Sequence, residues 1–314
     1  MRDLRIVFMG TPDFAVAILK RLIEDNYNVV GVITSPDKSA GRGRKINQSA
    51  VKKYALEQNL HLFQPTNLKN DVFINELKAV NATLQVVVAF RMLPKIVWKM
   101  PTYGTFNLHA SLLPSYRGAA PIHWAIINGE EKTGVTTFFI DEKIDTGEII
   151  LQKEILIHKD EIVGQLHDKL MNLGAELVSE TVLNIKENKV TTQKQPIKSI
   201  KIAPKLFSEN CKINWNNSLE KIYNHIRGLN PFPCAWSEME NNGAITLVKI
   251  YNIKKEKIIH KDKLGNIITS KGEMKVAVRN GYICVEELKI SGKKKLDTKS
   301  LLNGYNFSSK AKML

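Results

Sequence analysis

Three side chains in this sequence have the types and spacing needed to move an acyl group onto an amine. Asn107 and His109 alternate in Phe106-Asn107-Leu108-His109-Ala110, so on a strand both project from one face. Asp145 follows in Ile144-Asp145-Thr146-Gly147, a tight loop ending in glycine. An Asn amide can donate to an oxygen on which negative charge develops. A His can shuttle a proton or, protonated, stabilise that oxygen. A carboxylate beside the ring orients it and favours its charged form. No Ser or Cys nucleophile is needed when the amine attacks directly. Asp-Thr-Gly occurs in a single copy, which does not fit the paired carboxylates of an aspartic protease.

These groups need a scaffold. Arg5-Ile6-Val7-Phe8-Met9-Gly10 reads as a buried strand ending at a glycine, followed by Phe14, Ile18, Leu19 and Leu22 at helical spacing. Asp13 is expected to cap that helix. No further glycines complete a dinucleotide fingerprint after Gly10, which argues against a nicotinamide-dependent enzyme. Strands are predicted at 29–34, 84–90, 104–108, 133–140 and 149–157, and helices at 48–58 and 162–185. Strands alternating with helices predict a Rossmann-like, mostly parallel α/β sheet over residues 1–189. Residues 190–205, with Gln193, Gln195, Pro196 and Pro204 among lysines, read as a linker. Residues 206–314 hold a short helix at 219–229 and short strands at 244–251, 265–269, 273–278 and 282–288. Asn242-Gly243, Lys271-Gly272 and Asn280-Gly281 supply turns between them. This pattern predicts a small, OB-like β-barrel domain.

Charge separates the same two regions. Residues 1–189 contain 23 Lys/Arg and 21 Asp/Glu, whereas residues 190–314 contain 23 and 10. Nearly all of the net charge of +15 therefore sits in the last part of the chain, which points to a polyanionic partner held there. Cys211, Cys234 and Cys284 are widely spaced and odd in number, so they form neither a disulfide framework nor a metal motif and suit a reducing cytoplasm. No apolar run has the length of a membrane span, and the N-terminus has no signal-peptide pattern.

The longer motifs carry a resemblance. Asn107-Leu108-His109-Ala110-Ser111-Leu112-Leu113-Pro114, then Tyr116-Arg117-Gly118-Ala119-Ala120-Pro121 and Asp145-Thr146-Gly147, resemble the folate-dependent formyltransferases. The likeness extends through Val7-Phe8-Met9-Gly10-Thr11-Pro12, Pro36-Asp37-Lys38, Gly41-Arg42-Gly43-Arg44-Lys45, Ala203-Pro204-Lys205, Arg227-Gly228-Leu229-Asn230-Pro231-Phe232-Pro233 and Leu302-Asn303-Gly304. It implies Asn107, His109 and Asp145 as catalytic residues. It also implies 10-formyltetrahydrofolate as donor, with no metal, and a folate pocket formed by Phe90, Leu93, Ser111, Leu112, Leu113 and Pro114. The implied acceptor is the amino group of methionine on initiator tRNA. Arg42, Arg44 and Lys45 would reach the acceptor end of that tRNA, and Lys293, Lys294 and Lys295 would meet its body. A cytoplasmic monomer is expected. One departure is Arg91, where the family usually has Gly, in Ala89-Phe90-Arg91-Met92-Leu93-Pro94. The trio alone fits equally a formyltransferase with a small acceptor or a hydrolase of the same folate. The basic last part alone fits a noncatalytic RNA-binding protein.

Overall fold

The computed structural model describes residues 1–40, 45–196 and 201–314. It divides into two compact units, one made of residues 1–118, 133–155 and 167–202, the other of 119–132, 156–166 and 203–314. Among the described residues no helix is long and apolar enough to cross a membrane.

The first unit is built on a seven-stranded sheet. Ile6–Gly10 has Val29–Ile33 on one side and Leu84–Val88 on the other, both parallel to it. Leu62–Phe63 continues the sheet beyond Val29–Ile33, and Thr105–His109 continues it beyond Leu84–Val88, again in parallel. Lys132–Phe139 runs antiparallel to Thr105–His109, and Ile149–Leu156 forms the edge. The mostly parallel α/β sheet is the one the alternating pattern predicts. Ile6–Gly10 and Leu84–Val88 are buried at every position, which is why they read as continuous apolar runs and not as alternating ones. Strand order reverses between these two strands. In open α/β sheets ligands bind beyond the carboxyl ends at such a reversal.

Helices complete the layers. Asp13–Glu24 buries Phe14, Ile18, Leu19 and Leu22, as their spacing predicts. Its N-cap is Pro12, not Asp13, and no side chain caps it. Asp13 instead occupies the first turn, where its charge favours the helix dipole. Asp71–Ala79 has no counterpart in the expected elements. Asn70 caps it by accepting from the Phe73 amide, and Phe73, Ile74 and Leu77 are buried. Val163–Lys186 buries Leu166, Leu170, Leu177, Val182 and Ile185, a stripe at helical period. Each such side chain contributes about 1.5–3 kcal/mol when fully buried. A Cβ on Gly174 would come within 2.8 Å of Leu108 Cδ2, so the glycine lets this helix close on the strand. With Leu108 facing the helix, alternation turns Asn107 and His109 to the opposite face.

The second unit is antiparallel. One sheet includes Ala235–Asn241, Ala244–Ile250 and Glu287–Ile290, and the other includes Ile253–Glu256, Gly281–Val285, Glu273–Val278 and Ile267–Ser270. Gly281–Val285 runs on into Glu287–Ile290, joining the sheets at one side. At the other, the Ile267 amide donates to Ala311 (2.9 Å) and the Met313 amide to Gly265 (2.8 Å). A single core with Trp215, Ile226, Val248, Val276, Ile283 and Ile290 fills the space enclosed, in agreement with a small barrel. Leu219–Arg227 packs Ile222, Tyr223 and Ile226 into that core. Its last residue, Arg227, is buried, donating to the Glu161 carbonyl (2.8 Å) and the Asn224 amide oxygen (2.8 Å).

Candidate active site

Thr105–His109 delivers Asn107 and His109 to the carboxyl end of the parallel sheet. His109 is 6% exposed. Its Nε2 lies 2.8 Å from the Tyr116 carbonyl oxygen, and a carbonyl can only accept. Nε2 therefore carries the hydrogen. This leaves Nδ1 as the nitrogen that can gain or lose a proton, and Nδ1 faces Asp145 Oδ2 at 3.9 Å. The His and Asp of the expected trio thus stand side by side in space, although they are far apart in the chain. Asn107 is half-buried, and its side chain has no hydrogen-bond partner among the described residues. A half-buried amide with free N–H groups is suited to a developing oxyanion.

Asp145 sits on a constrained turn. Its backbone is left-handed, with φ 55°, a conformation that Asp tolerates better than most residues. Oδ2 accepts the Gly118 amide (2.9 Å). Thr146 Oγ1 donates to Asp141 Oδ1 (2.7 Å). A Cβ on Gly147 would fall 1.6 Å from the Phe139 carbonyl oxygen, so only glycine fits there. Gln195 Nε2 donates to the Asp145 carbonyl (3.0 Å) and the Gly147 carbonyl (2.8 Å). Gln195 falls within the segment that reads as a linker. Its partners in this turn lie about fifty positions away in the chain, and no local pattern could mark it.

The residues expected to grip the folate fall into two groups. Phe90 and Leu93 pack on one cluster with Met9, Val87 and Ile140, above the ends of the central strands. The loop carrying them is tied to the Asp145 turn by an ion pair between Lys95 and Glu142. Lys95 accordingly holds the Glu142 carboxyl below its ordinary range. Arg91 donates to the Pro65 and Thr66 carbonyls and lies over the Phe90 ring at 5.6 Å. Partial burial pushes its guanidinium down. The left-handed residue in this loop is Ala89, φ 47°, so Arg91 needs no glycine geometry. In the second group Ser111 is fully buried and its hydroxyl donates to the Ser115 carbonyl (2.7 Å). Leu113 packs with Phe138 and Ile149. Its carbonyl accepts from Gln152 (2.8 Å), and Thr136 Oγ1 donates to the Ser111 carbonyl (2.6 Å). Leu112 and Pro114 are half-buried.

Arg42 and Arg44 lie outside the described residues. Lys45 begins the short strand Lys45–Asn47, antiparallel to Lys38–Ala40. The base of this segment is anchored by Asp37, which accepts from Lys52 Nζ (2.6 Å) and Gln64 Nε2 (2.9 Å). Lys52 above all, then Gln64, hold its carboxyl below the usual range. In the second unit Lys293 lies 5.5 Å over the Tyr305 ring. Lys295 pairs with Glu287 (2.9 Å) and lies 4.9 Å over Tyr251. Lys294 is exposed. Among the described residues no group of three or more His, Cys, Asp or Glu is placed to hold a metal ion.

A strand-borne Asn and His, a carboxylate on a turn, and this two-part architecture define a class. Residues 4–182 match the formyl transferase family and residues 205–306 match the formyl transferase C-terminal domain, and the chain belongs to that family. It is 57% identical over 314 residues to the methionyl-tRNA formyltransferase of Flavobacterium johnsoniae, covering 100% of both chains. It is 52% identical over 317 residues to the enzyme of that name from Bacteroides thetaiotaomicron, covering 99% of this chain and 98% of that one. Among solved structures it shares its fold with an N-formyltransferase from Helicobacter canadensis in complex with folinic acid and dTDP-3-aminofucose. That match has a TM-score of 0.65 and 20% identity and covers 90% of this chain and 98% of that one.

Proposed function

We propose that this chain transfers the formyl group of 10-formyltetrahydrofolate to the free amino group of methionine on initiator tRNA, as a monomer in the cytoplasm. The observation that carries the chemistry is the pairing of His109 Nδ1 with Asp145 Oδ2 at 3.9 Å, beside an Asn107 amide that no described protein group uses. In this reading the Asn107 amide donates to the formyl oxygen as the amine attacks the formyl carbon. The bond between the formyl carbon and the folate nitrogen then breaks. His109 Nδ1 takes the proton that the amine loses and returns it to that departing nitrogen, and Asp145 steadies the charge that His109 carries in between. Phe90 and Leu93 offer an apolar wall to the pterin, with the backbone of Ser111–Pro114 beside it.

Charge in the second unit favours tRNA over a small acceptor. Trp236, Lys249 and Lys289 stand directly opposite one another across three adjacent strands, so their side chains share a face. Lys212 lies 5.4 Å over the Trp236 ring. Lys249 and Lys289 have no ion-pair partner among the described residues. Like charges directly opposite on neighbouring strands are destabilising, and a phosphate backbone relieves that repulsion while bases stack on exposed rings. Lys294 and Arg42 extend the same role in this proposal, with Arg44, Lys45, Lys293 and Lys295 contributing beside them. The test is incubation of the protein with labelled 10-formyltetrahydrofolate and either charged initiator tRNA or a nucleotide-linked amino sugar. Label in formylmethionine is the expected result, and label in the sugar alone would refute the reading.

A further inference from the structure

Resting on that reading, we propose that Gln195 is a positioning residue for formyl transfer, holding the Asp145 turn and the Arg117 segment in register around His109. The amide of Gln195 is fully used. Nε2 donates to the Asp145 carbonyl (3.0 Å) and the Gly147 carbonyl (2.8 Å), and Oε1 accepts Arg117 Nε (3.1 Å) and Nη2 (2.6 Å). A side-chain amide has two N–H donors and two acceptor lone pairs, so every one is engaged. Its orientation is also fixed, because arginine can only donate and a carbonyl can only accept. The residues it joins are the two walls of the site. Tyr116, next to Arg117, accepts from His109 Nε2, and Gly118 donates to Asp145 Oδ2. One amide thereby spans the segment that orients the imidazole and the turn that carries the carboxylate.

Gln195 is itself placed by a short pairing two residues earlier. Gln193 and Ile149 exchange backbone hydrogen bonds of 2.9 and 2.8 Å. The bridge and the Gly118–Asp145 bond together set the distance between the two walls, so the 3.9 Å separation of His109 and Asp145 depends on them. A misplacement of about 1 Å in a reacting constellation costs on the order of a hundredfold in rate.

Two substitutions separate the parts of the bridge. Gln195→Ala removes it. Gln195→Glu keeps the size and the acceptors for Arg117 but turns a carboxylate toward the Asp145 and Gly147 carbonyls. Both should lower kcat by about 10- to 100-fold, while KM for the folate donor and for charged initiator tRNA stays within about threefold, as expected when positioning is lost and binding is kept. Hydrogen exchange at the Gly118 amide, which reads the grip on Asp145 without any turnover, should quicken in both variants while the core strand Leu84–Val88 is unchanged. A kcat within twofold of the parent in either variant overturns the proposal, and so does unchanged exchange at Gly118. Loss of activity that follows global unfolding in both variants overturns it as well. Failure of the parent protein to formylate charged tRNA refutes the functional reading instead, and the exchange measurement still decides the role of Gln195.

Discussion

Polar groups are handled in opposite ways at the His109 site and on the outer face of the five-stranded sheet. At the site His109, Asp145 and Gln195 are fixed by directed bonds, to Tyr116, to Gly118 and to both walls respectively, and only the Asn107 amide is left open among them. On the sheet, charge is distributed. Lys212 pairs with Glu238 and Lys312 with Glu240, while Lys249 and Lys289 face each other without an acidic partner among the described residues. The first arrangement specifies geometry and the second specifies sign. Chemistry needs atoms held to fractions of an ångström, whereas a phosphate backbone asks only for nearby positive charge. Single substitutions should therefore be severe in one region and mild in the other.

The largest effects are expected at the site. His109→Ala should reduce kcat by about two to four orders of magnitude, the range for losing a proton-transfer group. Asn107→Ala should cost about two to three orders, as for an oxyanion donor. Circular dichroism should show both variants folded, and near-normal turnover in either would remove that residue from the mechanism. A smaller effect belongs to the sheet. Lys249→Gln with Lys289→Gln should weaken tRNA binding and flatten its salt dependence, by about 0.7–0.9 log units per log unit of salt for each phosphate that the lysines no longer neutralise. Folate binding should be unchanged. An unaltered salt slope would place the tRNA on another surface.

The smallest expected effect is on stability in acid. Burial is the main influence on His225 and pushes its imidazole below the ordinary value, against a weaker opposing contribution from the Cys211 backbone. In the unfolded chain the group titrates near about 6.5. As pH falls through that value the unfolded chain takes up a proton that the folded protein resists, so stability present above about 6.5 is lost below it. His225→Asn should show a shallower fall in melting temperature between pH 7.5 and 5.5. An unchanged slope would show that His225 does not contribute to acid sensitivity.

What the sequence revealed and what it hid divide along the range of the interactions. The strand at 105–109, expected at 104–108, and the shared face of Asn107 and His109 follow from alternation, a local property. The helix at 163–186 follows from its apolar stripe. Pairing of Asp145 with His109 is long-range: the residue types offer the carboxylate as a partner and the resemblance implies it in the same site, but no local pattern places the two together. Leu62–Phe63 is too short for any period to show. Asp71–Ala79 does have a local signal in its Asn70 cap and in Phe73, Ile74 and Leu77. Gln195 has none, because an amide that ties two loops leaves no mark on its neighbours. The reach of Arg91 to the Pro65 and Thr66 carbonyls depends on a neighbouring strand end that the sequence pattern does not place.

Asp145→Asn tests the central claim most directly. The substitution keeps the size of the side chain and an oxygen for the Gly118 amide, and removes the charge that faces His109 Nδ1. Single-turnover formyl transfer should be followed with both 10-formyltetrahydrofolate and charged initiator tRNA bound at saturating concentration. The predicted transfer rate is at least about a hundredfold below that of the parent, with the affinity for each substrate retained. A rate within twofold of the parent would contradict the mechanism, since the carboxylate would then have no part in the proton transfer assigned to His109.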